Sequence, residues 1–441
     1  MRRTDPFSPL SLMTAFFVGG VLLPVYPFLN QEDGFTQFWQ FAFSDRFGAT
    51  VQAVLGYGLV MLCFAIAYVG IVGDNRKSPP SFRILRCLGF KSRRLPLSFY
   101  LLGAIATGGL VLTIHLQGGF EEALVAASDR TRASAGMNFI VLLQNAYLSV
   151  GLAWALMLTN RQNRVSRASA LFFLLYVLVS IAIIALQGAK ATIFVYVLAL
   201  AMVWHYRVRA FSAWKLLVFG VLLFVLLMIY HVIKQEYLVL GHFAFTAYGD
   251  TVLSAFLKFL FLQFTGNMMQ LQTMAVLMDA MPNQMQFEYG QTLLMILLIW
   301  IPSAIYPAKP LTAPGVFTMA FWPAAWLNEG TTLPPGFFGE MYMNFGWFGL
   351  VGGGLAAGFL YGLSYRAVRS RPDCDLTLGR HALFVSLLLH YFRGEAASVT
   401  VLFLTIYLPF WLTIKLSATR LLVTRTAPES AATFPKSEKE I

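Results

Sequence analysis

Apolar runs, most of them near the roughly 20 residues that span a bilayer's hydrocarbon core as a helix, recur along this chain. They lie at 8–29, 51–73, 97–117, 138–159, 169–187, 191–206, 216–235, 343–365, 381–392 and 397–416, and each is apolar on every face. In lipid the backbone must satisfy its own hydrogen bonds, and at this length only a helix does so. Transmembrane strands would alternate apolar and polar positions over about ten residues, and these runs do not alternate. The expectation is therefore an all-α, polytopic integral membrane bundle of about ten transmembrane helices. The runs at 191–206 and 381–392 are short, so each is expected to be tilted, broken or shielded by its neighbours.

Charge between the runs sets the expected orientation. Loop 74–96 carries Arg76, Lys77, Arg83, Arg86, Lys91, Arg93 and Arg94. The loops 160–168, 206–215 and 366–380, the N-terminus and the tail add the rest of a set of 24 of the 32 basic residues, all on one side if there are ten spans. Of the 20 acidic residues, 13 fall on the other side. Cytoplasmic loops retain Lys and Arg, which puts both termini in the cytoplasm. Between 236 and 342 lie two further apolar segments, Val252–Phe264 and Leu293–Tyr306, yet no Lys or Arg occurs between Lys258 and Lys309. If both crossed, the segment between them would be a cytoplasmic loop without a positive charge. The stretch 236–342 is therefore expected to be one large periplasmic loop with interfacial or re-entrant helices.

Composition agrees. Hydrophobic residues make up 58% and charged residues 12%, against about 25% charged in soluble domains. The first run is long and lacks an Ala-x-Ala-like cleavage site, so it is expected to be a retained span rather than a signal peptide. The net charge of +12 sits in short loops and reflects topology, with no sign of a nucleic-acid partner. Cys63, Cys87 and Cys374 offer no pair on the far side for a disulfide and no zinc spacing. Residues 1–425 form one membrane domain on this reading, and 426–441 a disordered cytoplasmic tail.

Candidate chemistry lies on the far side. Arg130 and Arg132, beside Glu121, Glu122 and Asp129, suit a bidentate grip on phosphate or carboxylate, or simply pair with those acids. Lys190 would stand at the N-terminus of the sixth span, where an anion could be shared with the helix dipole, or would snorkel to headgroups. The run Leu333-Pro-Pro-Gly-Phe-Phe-Gly-Glu340-Met-Tyr342-Met-Asn344-Phe-Gly346 fixes a turn and then carries a carboxylate into the eighth span. A carboxylate at that depth is costly unless it is paired or functional. Arg393 and Glu395, with His390 nearby, either pair with each other or line a polar pocket. No spacing of acids or histidines suggests a divalent metal.

These far-side segments resemble bacterial oligosaccharide repeat-unit polymerases (Wzy-type O-antigen polymerases). Gly119-Phe120 with Leu124 and Arg130 resembles the family's Gly-Gly-Leu…Leu…Arg segment. Gly188-Ala189-Lys190 is similar to its Gly-Ser-Arg turn, with Lys190 in place of the arginine, which removes a bidentate contact. Tyr289-Gly290, Ile301-Pro302 and Pro307-Ala308-Lys309-Pro310 resemble its Tyr-Gly…Ile-Pro…Pro-x-Lys-Pro stretch. Gly339-Glu340-Met341-Tyr342-Met343-Asn344-Phe345-Gly346 resembles its Gly-Glu-x-Tyr-x-Asn-Phe-Gly run. The likeness covers about residues 100–395.

The resemblance implies a multi-pass glycosyltransferase of the bacterial inner membrane that needs no cofactor or metal. It would join undecaprenyl-pyrophosphate-linked oligosaccharide repeat units into O-antigen, capsule or exopolysaccharide. Its partners would be that lipid-linked glycan, membrane lipid, and a flippase and chain-length regulator of the same pathway. Glu340, then Glu395, are the expected bases. Arg130, Arg132, Lys190, Lys309 and Arg393 are the expected cations for the pyrophosphate. Tyr342 and Asn344, with Trp322 and Trp326, are expected to hold glycan. An O-antigen ligase and a transporter or flippase of lipid-linked sugars are the competing expectations.

Overall fold

Polar side chains just ahead of several apolar runs cap the helix starts. Ser8 accepts the Ser11 N–H at 3.2 Å, and Pro9 occupies the first turn of α1 (Pro9–Phe17), a position where proline's missing N–H costs nothing. A π-turn, Val18–Leu22, carries the chain into α2 (Val25–Leu29). The computed structural model describes residues 5–30, 41–73, 88–89, 97–126, 138–160, 166–186, 190–232, 251–267, 269–301, 305–329, 332–417 and 419–420. The basic residues of loop 74–96, Arg130, Arg132, the turn before Lys190, Lys234, Glu236, His242, Asp250 and the 426–441 tail lie outside them.

The remaining helices are α3 (Arg46–Gly73), α4 (Leu97–Leu116), α5 (Phe120–Ala126), α6 (Asn138–Leu143), α7 (Ala146–Thr159), α8 (Arg167–Leu186), α9 (Lys190–Arg207) and α10 (Ala213–Val232). They are followed by α11 (Val252–Asn267), α12 (Gln270–Ala280), α13 (Gln291–Leu298), α14 (Ala313–Phe321), α15 (Pro323–Glu329), α16 (Gly336–Ser370), α17 (Asp375–Ser386), α18 (Leu388–Arg393) and α19 (Ala396–Ser417). A two-residue antiparallel bridge, Leu88↔Arg420 and Gly89↔Thr419, is the one extended pairing among the described residues. Seven helices among the described residues are long and apolar enough to cross a membrane: Pro9–Leu29, α3, α4, α8, Ala213–Tyr230, α16 and α19. Three shorter apolar stretches lie in α7, α9 and α11. Leu171, Leu174, Leu175 and Leu178 of α8 face outward and exposed, a surface suited to lipid rather than water. The architecture is consistent with a multi-pass membrane protein.

Runs 138–159 and 381–392 are broken. Run 138–159 divides into α6 and α7 at Gln144 and Asn145, whose buried side chains are used between helices. Gln144 Nε2 donates to Thr113 Oγ1 at 2.8 Å, and Asn145 Nδ2 to Thr405 Oγ1 at 3.0 Å. Run 381–392 is covered by the end of α17 and by α18, which meet at Leu387.

Packing defines a basic pole and an opposite pole. α3 and α16 run in the same direction, with Gly354 against Val60, Gly358 against Phe64 and Gly362 against Tyr68. A Cβ at Gly358 would lie 2.3 Å from the Phe64 carbonyl oxygen, so this spacing of four makes a face that only small residues fill. Both helices end at the basic pole, where Arg366 donates to the Ile71 carbonyl at 3.3 Å. α9 ends there too: Arg207 donates to Asp375 at 2.6 Å, with both side chains buried. Removing one partner of such a pair strands the other charge, at a cost of about 3–5 kcal/mol. Asp5 gathers Tyr206, Tyr365 and His205 at the same pole.

From α4 to α10 the chain passes back and forth between the poles. Gln144 meets the end of α4, and Gly379, near the start of α17, packs against Leu156 near the end of α7. Tyr176 of α8 donates to the Tyr147 carbonyl at 2.9 Å, so α8 returns alongside α7. Tyr230 at the end of α10 donates to the Ala185 carbonyl at the end of α8. At the opposite pole Ser44, just ahead of α3, is held by Asp279 at the end of α12. The start of α12 lies deeper: the Tyr57 hydroxyl reaches the Gln270 carbonyl at 3.4 Å, about 16 Å along α3 from Arg46 at 1.5 Å per residue.

Candidate functional site

The eighth run is two helices end to end. Gly346 has φ 59° and ψ −141°, a conformation open almost only to glycine, and the chain folds back there. Met341 and Gly349 would stand about 12 Å apart in a straight helix. Instead a Cβ at Gly349 would lie 1.9 Å from the Met341 carbonyl oxygen, and one at Gly353 2.8 Å from Met341 Cγ. Glu340, Tyr342 and Asn344 therefore ride on a return helix, 336–345, and the crossing part of α16 begins after Gly346. This corrects the sequence expectation of a span over 343–365 with those residues entering it.

The return helix carries a closed relay of hydrogen bonds. The Gly290 N–H donates to Asn344 Oδ1 at 2.7 Å, and Asn344 Nδ2 donates to Thr292 Oγ1 at 2.7 Å and to the Glu340 carbonyl at 2.8 Å. Since Thr292 accepts from Asn344, its hydroxyl proton goes to Glu340 Oε1, at 2.9 Å. Glu340 Oε2 accepts the Ala396 N–H at 2.7 Å, at the start of α19. Glu340, Asn344 and Thr292 are all fully buried. The orientation of every donor makes Glu340 a pure acceptor, held by a hydroxyl and a helix N-terminus, with no cation beside it among the described residues. A helix N-terminus stabilises a partly buried carboxylate by up to about 2 kcal/mol. The Glu288 N–H donates to the Met343 carbonyl at 3.0 Å, which ties the Tyr289-Gly290 turn to the same helix. Both turn residues have positive φ, 46° and 94°. Burial raises the Glu288 carboxyl above its ordinary range.

Glu395 sits next to Ala396 and close enough to Glu340 for the two charges to repel. It is 4% exposed. The Ser398 hydroxyl donates to its Oε1, and the Ala313 N–H and Thr312 side chain, at the N-terminus of α14, lie beside the carboxylate. Its Oε2 makes no hydrogen bond among the described residues. Arg393, at the C-terminal end of α18, is half-buried and ion-pairs with no carboxylate among the described residues. Lys309 Nζ donates to the Ile301 carbonyl at 3.1 Å, three residues before Thr312.

The structure thus brings Glu340, Asn344 and Glu395 together, with Arg393 on the same chain turn. Tyr342 is buried, its ring against Phe287 and Trp347 at 6.3 and 6.2 Å. Trp322 packs on Phe317 and Phe321, and Trp326 lies against Gly315. Lys190 opens α9 at the same pole as the site, and its side chain lies outside the described residues, as do Arg130 and Arg132. Thr292 escaped the sequence reading because a lone threonine in an apolar helix carries no charge to mark it. Its place two residues after Tyr289-Gly290 was the available signal. Among protein-family models, curated proteins and solved structures, none matches this chain.

Proposed function

We propose that this protein is a membrane glycosyltransferase that polymerises lipid-pyrophosphate-linked oligosaccharide repeat units at the periplasmic face of the bacterial inner membrane. On this reading the chain crosses about ten times, both termini are cytoplasmic, and 236–342 with the return helix forms the outer catalytic layer. The observation that carries the reading is a buried carboxylate with a free oxygen, Glu395, set against a second carboxylate whose oxygens are both engaged, Glu340. The convergence of Tyr289-Gly290 with Gly339–Gly346, two of the segments that resemble the polymerase family, adds support.

Glu395 is the base in this mechanism, and Glu340 positions the α19 N-terminus that presents it. The acceptor sugar's hydroxyl gives its proton to Glu395 Oε2 as its oxygen attacks the anomeric carbon of the donor glycan. The bond from that carbon to the pyrophosphate oxygen breaks, and the undecaprenyl pyrophosphate leaves with the electron pair. Arg393 and Lys309, with Arg130, Arg132 and Lys190, are the cations assigned to that charge. Fixed cations stabilise it without a metal.

Purified protein given lipid-linked repeat units is expected to lengthen them, in chelator as without it. Glu395→Gln should lower turnover about 10²–10⁴-fold while the protein stays folded. A wild-type sample that makes no chains would sink the reading, and an unimpaired Glu395→Gln would remove the base. The helix breaks around buried acids also favour a second reading, a transporter of lipid-linked sugars, since transporters bind substrate at such breaks. Transport without elongation would decide for it.

A further inference from the structure

We infer that the side-chain amide of Gln270 binds a hydroxyl of the acceptor glycan, an assignment that rests on the glycosyltransferase reading. Gln270 opens α12 deep in the bundle and is 1% exposed. Its backbone carbonyl is engaged by Tyr57, yet among the described residues neither Nε2 nor Oε1 of its side chain has a hydrogen-bond partner. Leaving a buried donor and a buried acceptor unmade costs stability, and methionine or leucine would fill the same volume without that cost. A group kept under such a penalty is accounted for by a ligand that completes it.

The surroundings identify where that ligand comes from. Gly336, at φ 76°, starts the return helix, and a Cβ there would lie 3.7 Å from Gln270 Cγ and 2.6 Å from the Phe392 carbonyl oxygen. Gln270 therefore faces the end of α18, next to the turn that holds Arg393 and the free oxygen of Glu395. Tyr57, Phe338 and Phe392 wall the place with aromatic rings, with centroids 5.6 Å (Tyr57–Phe392) and 6.3 Å (Tyr57–Phe338) apart. An amide offers one kind of donor and one kind of acceptor and no charge, which matches a neutral hydroxyl and not a pyrophosphate. Aromatic side chains with a few placed polar groups are the lining that a sugar ring takes. The acceptor end of the reaction is thus assigned to Gln270 and Glu395, and the anionic donor end to the cations.

The test compares Gln270→Met with wild type in purified form, by thermal unfolding and by elongation of lipid-linked repeat units at varied acceptor concentration. The expected result is an unfolding temperature equal to or above wild type, together with a KM for the acceptor raised about ten-fold and a smaller change in kcat. Should Gln270→Met fail to insert, Gln270→Asn, which keeps the amide but withdraws it by one methylene, carries the same expectation for KM. An unchanged KM, as an internal water on Gln270 would give, overturns the inference and leaves the glycosyltransferase reading standing. A wild-type protein that neither elongates the units nor is thermally stabilised by them overturns both.

Discussion

Asp5 closes the basic pole through one carboxylate. Its Oδ2 accepts from the hydroxyls of Tyr206 and Tyr365 at 2.9 and 2.8 Å, and its Oδ1 accepts the Phe7 N–H at 2.9 Å. The Phe211 N–H donates to His205 Nδ1 at 2.9 Å, so the histidine proton sits on Nε2, 3.3 Å from Asp5 Oδ1. Burial works against the Asp5 charge, but the hydrogen bonds from His205, Tyr365 and Tyr206 outweigh it and hold the carboxyl below its ordinary 3.8. A carboxylate whose folded value is depressed contributes stability above the unfolded value and loses it as pH falls through the folded one. Asp5→Asn is therefore expected to lower the unfolding free energy at neutral pH by about 1–3 kcal/mol, the cost of leaving a buried donor unmatched. The gap between variant and wild type should shrink on acidification below pH 3.8. Thermal unfolding in detergent across that range checks it, and a gap that widens in acid would show that Asp5 is not the charged acceptor described.

At the scale of elements, the fold-back at Gly346 organises the site. An alanine there would carry φ 59° and ψ −141° with a Cβ, 3.3 Å from the Phe287 ring. Such strained backbone costs of order 1–3 kcal/mol, and relief requires the return helix to turn away from the crossing helix. Gly346→Ala should thus keep the membrane bundle but loosen the Asn344–Thr292–Glu340 relay, with activity falling more steeply than thermal stability. Equal losses in both would mean the turn serves folding alone. Why sequence revealed some elements and not others follows from the same chemistry. α4 and α8 were legible because 97–116 and 168–186 are long, mostly apolar and without Asp, Glu, Lys or Arg. The break in 138–159 was hidden because two amides, Gln144 and Asn145, vanish in the average of a long apolar window. The return helix was hidden because glycines such as Gly339 and Gly346 are ordinary inside membrane helices, and nothing local says which one reverses the chain. Glu340, Asn344 and Glu395 stood out as polar groups in apolar context. Their pairing did not, since Thr292 and Glu340 lie 48 residues apart in the sequence.

For the whole molecule, the direction of packed helices supplies an argument that charge counting alone lacks. α3 and the crossing part of α16 run the same way, so an odd number of passes must separate them. α4, α7, α8, α9 and α10 are an odd number of helices between them, and the proposal keeps the short α11 to α15 on the side where α10 ends. Arg207, Arg366 and Asp5 share one pole, whereas Asp279, Glu288 and Glu340 lie toward the other. Lys and Arg resist translocation, so the proposal sets the basic pole in the cytoplasm. Single cysteines at exposed Tyr289 and Ile305 should then react with a membrane-impermeant thiol reagent added to the periplasmic side of intact cells. Cysteines at exposed Arg209 and Arg371 should react only after the membrane is opened. Labelling of all four from one side would break the two-pole architecture itself. Labelling of 209 and 371 from outside, with 289 and 305 protected, would keep the architecture but turn Glu395 to the cytoplasm, where a glycan polymerase working on exported lipid-linked units has no substrate.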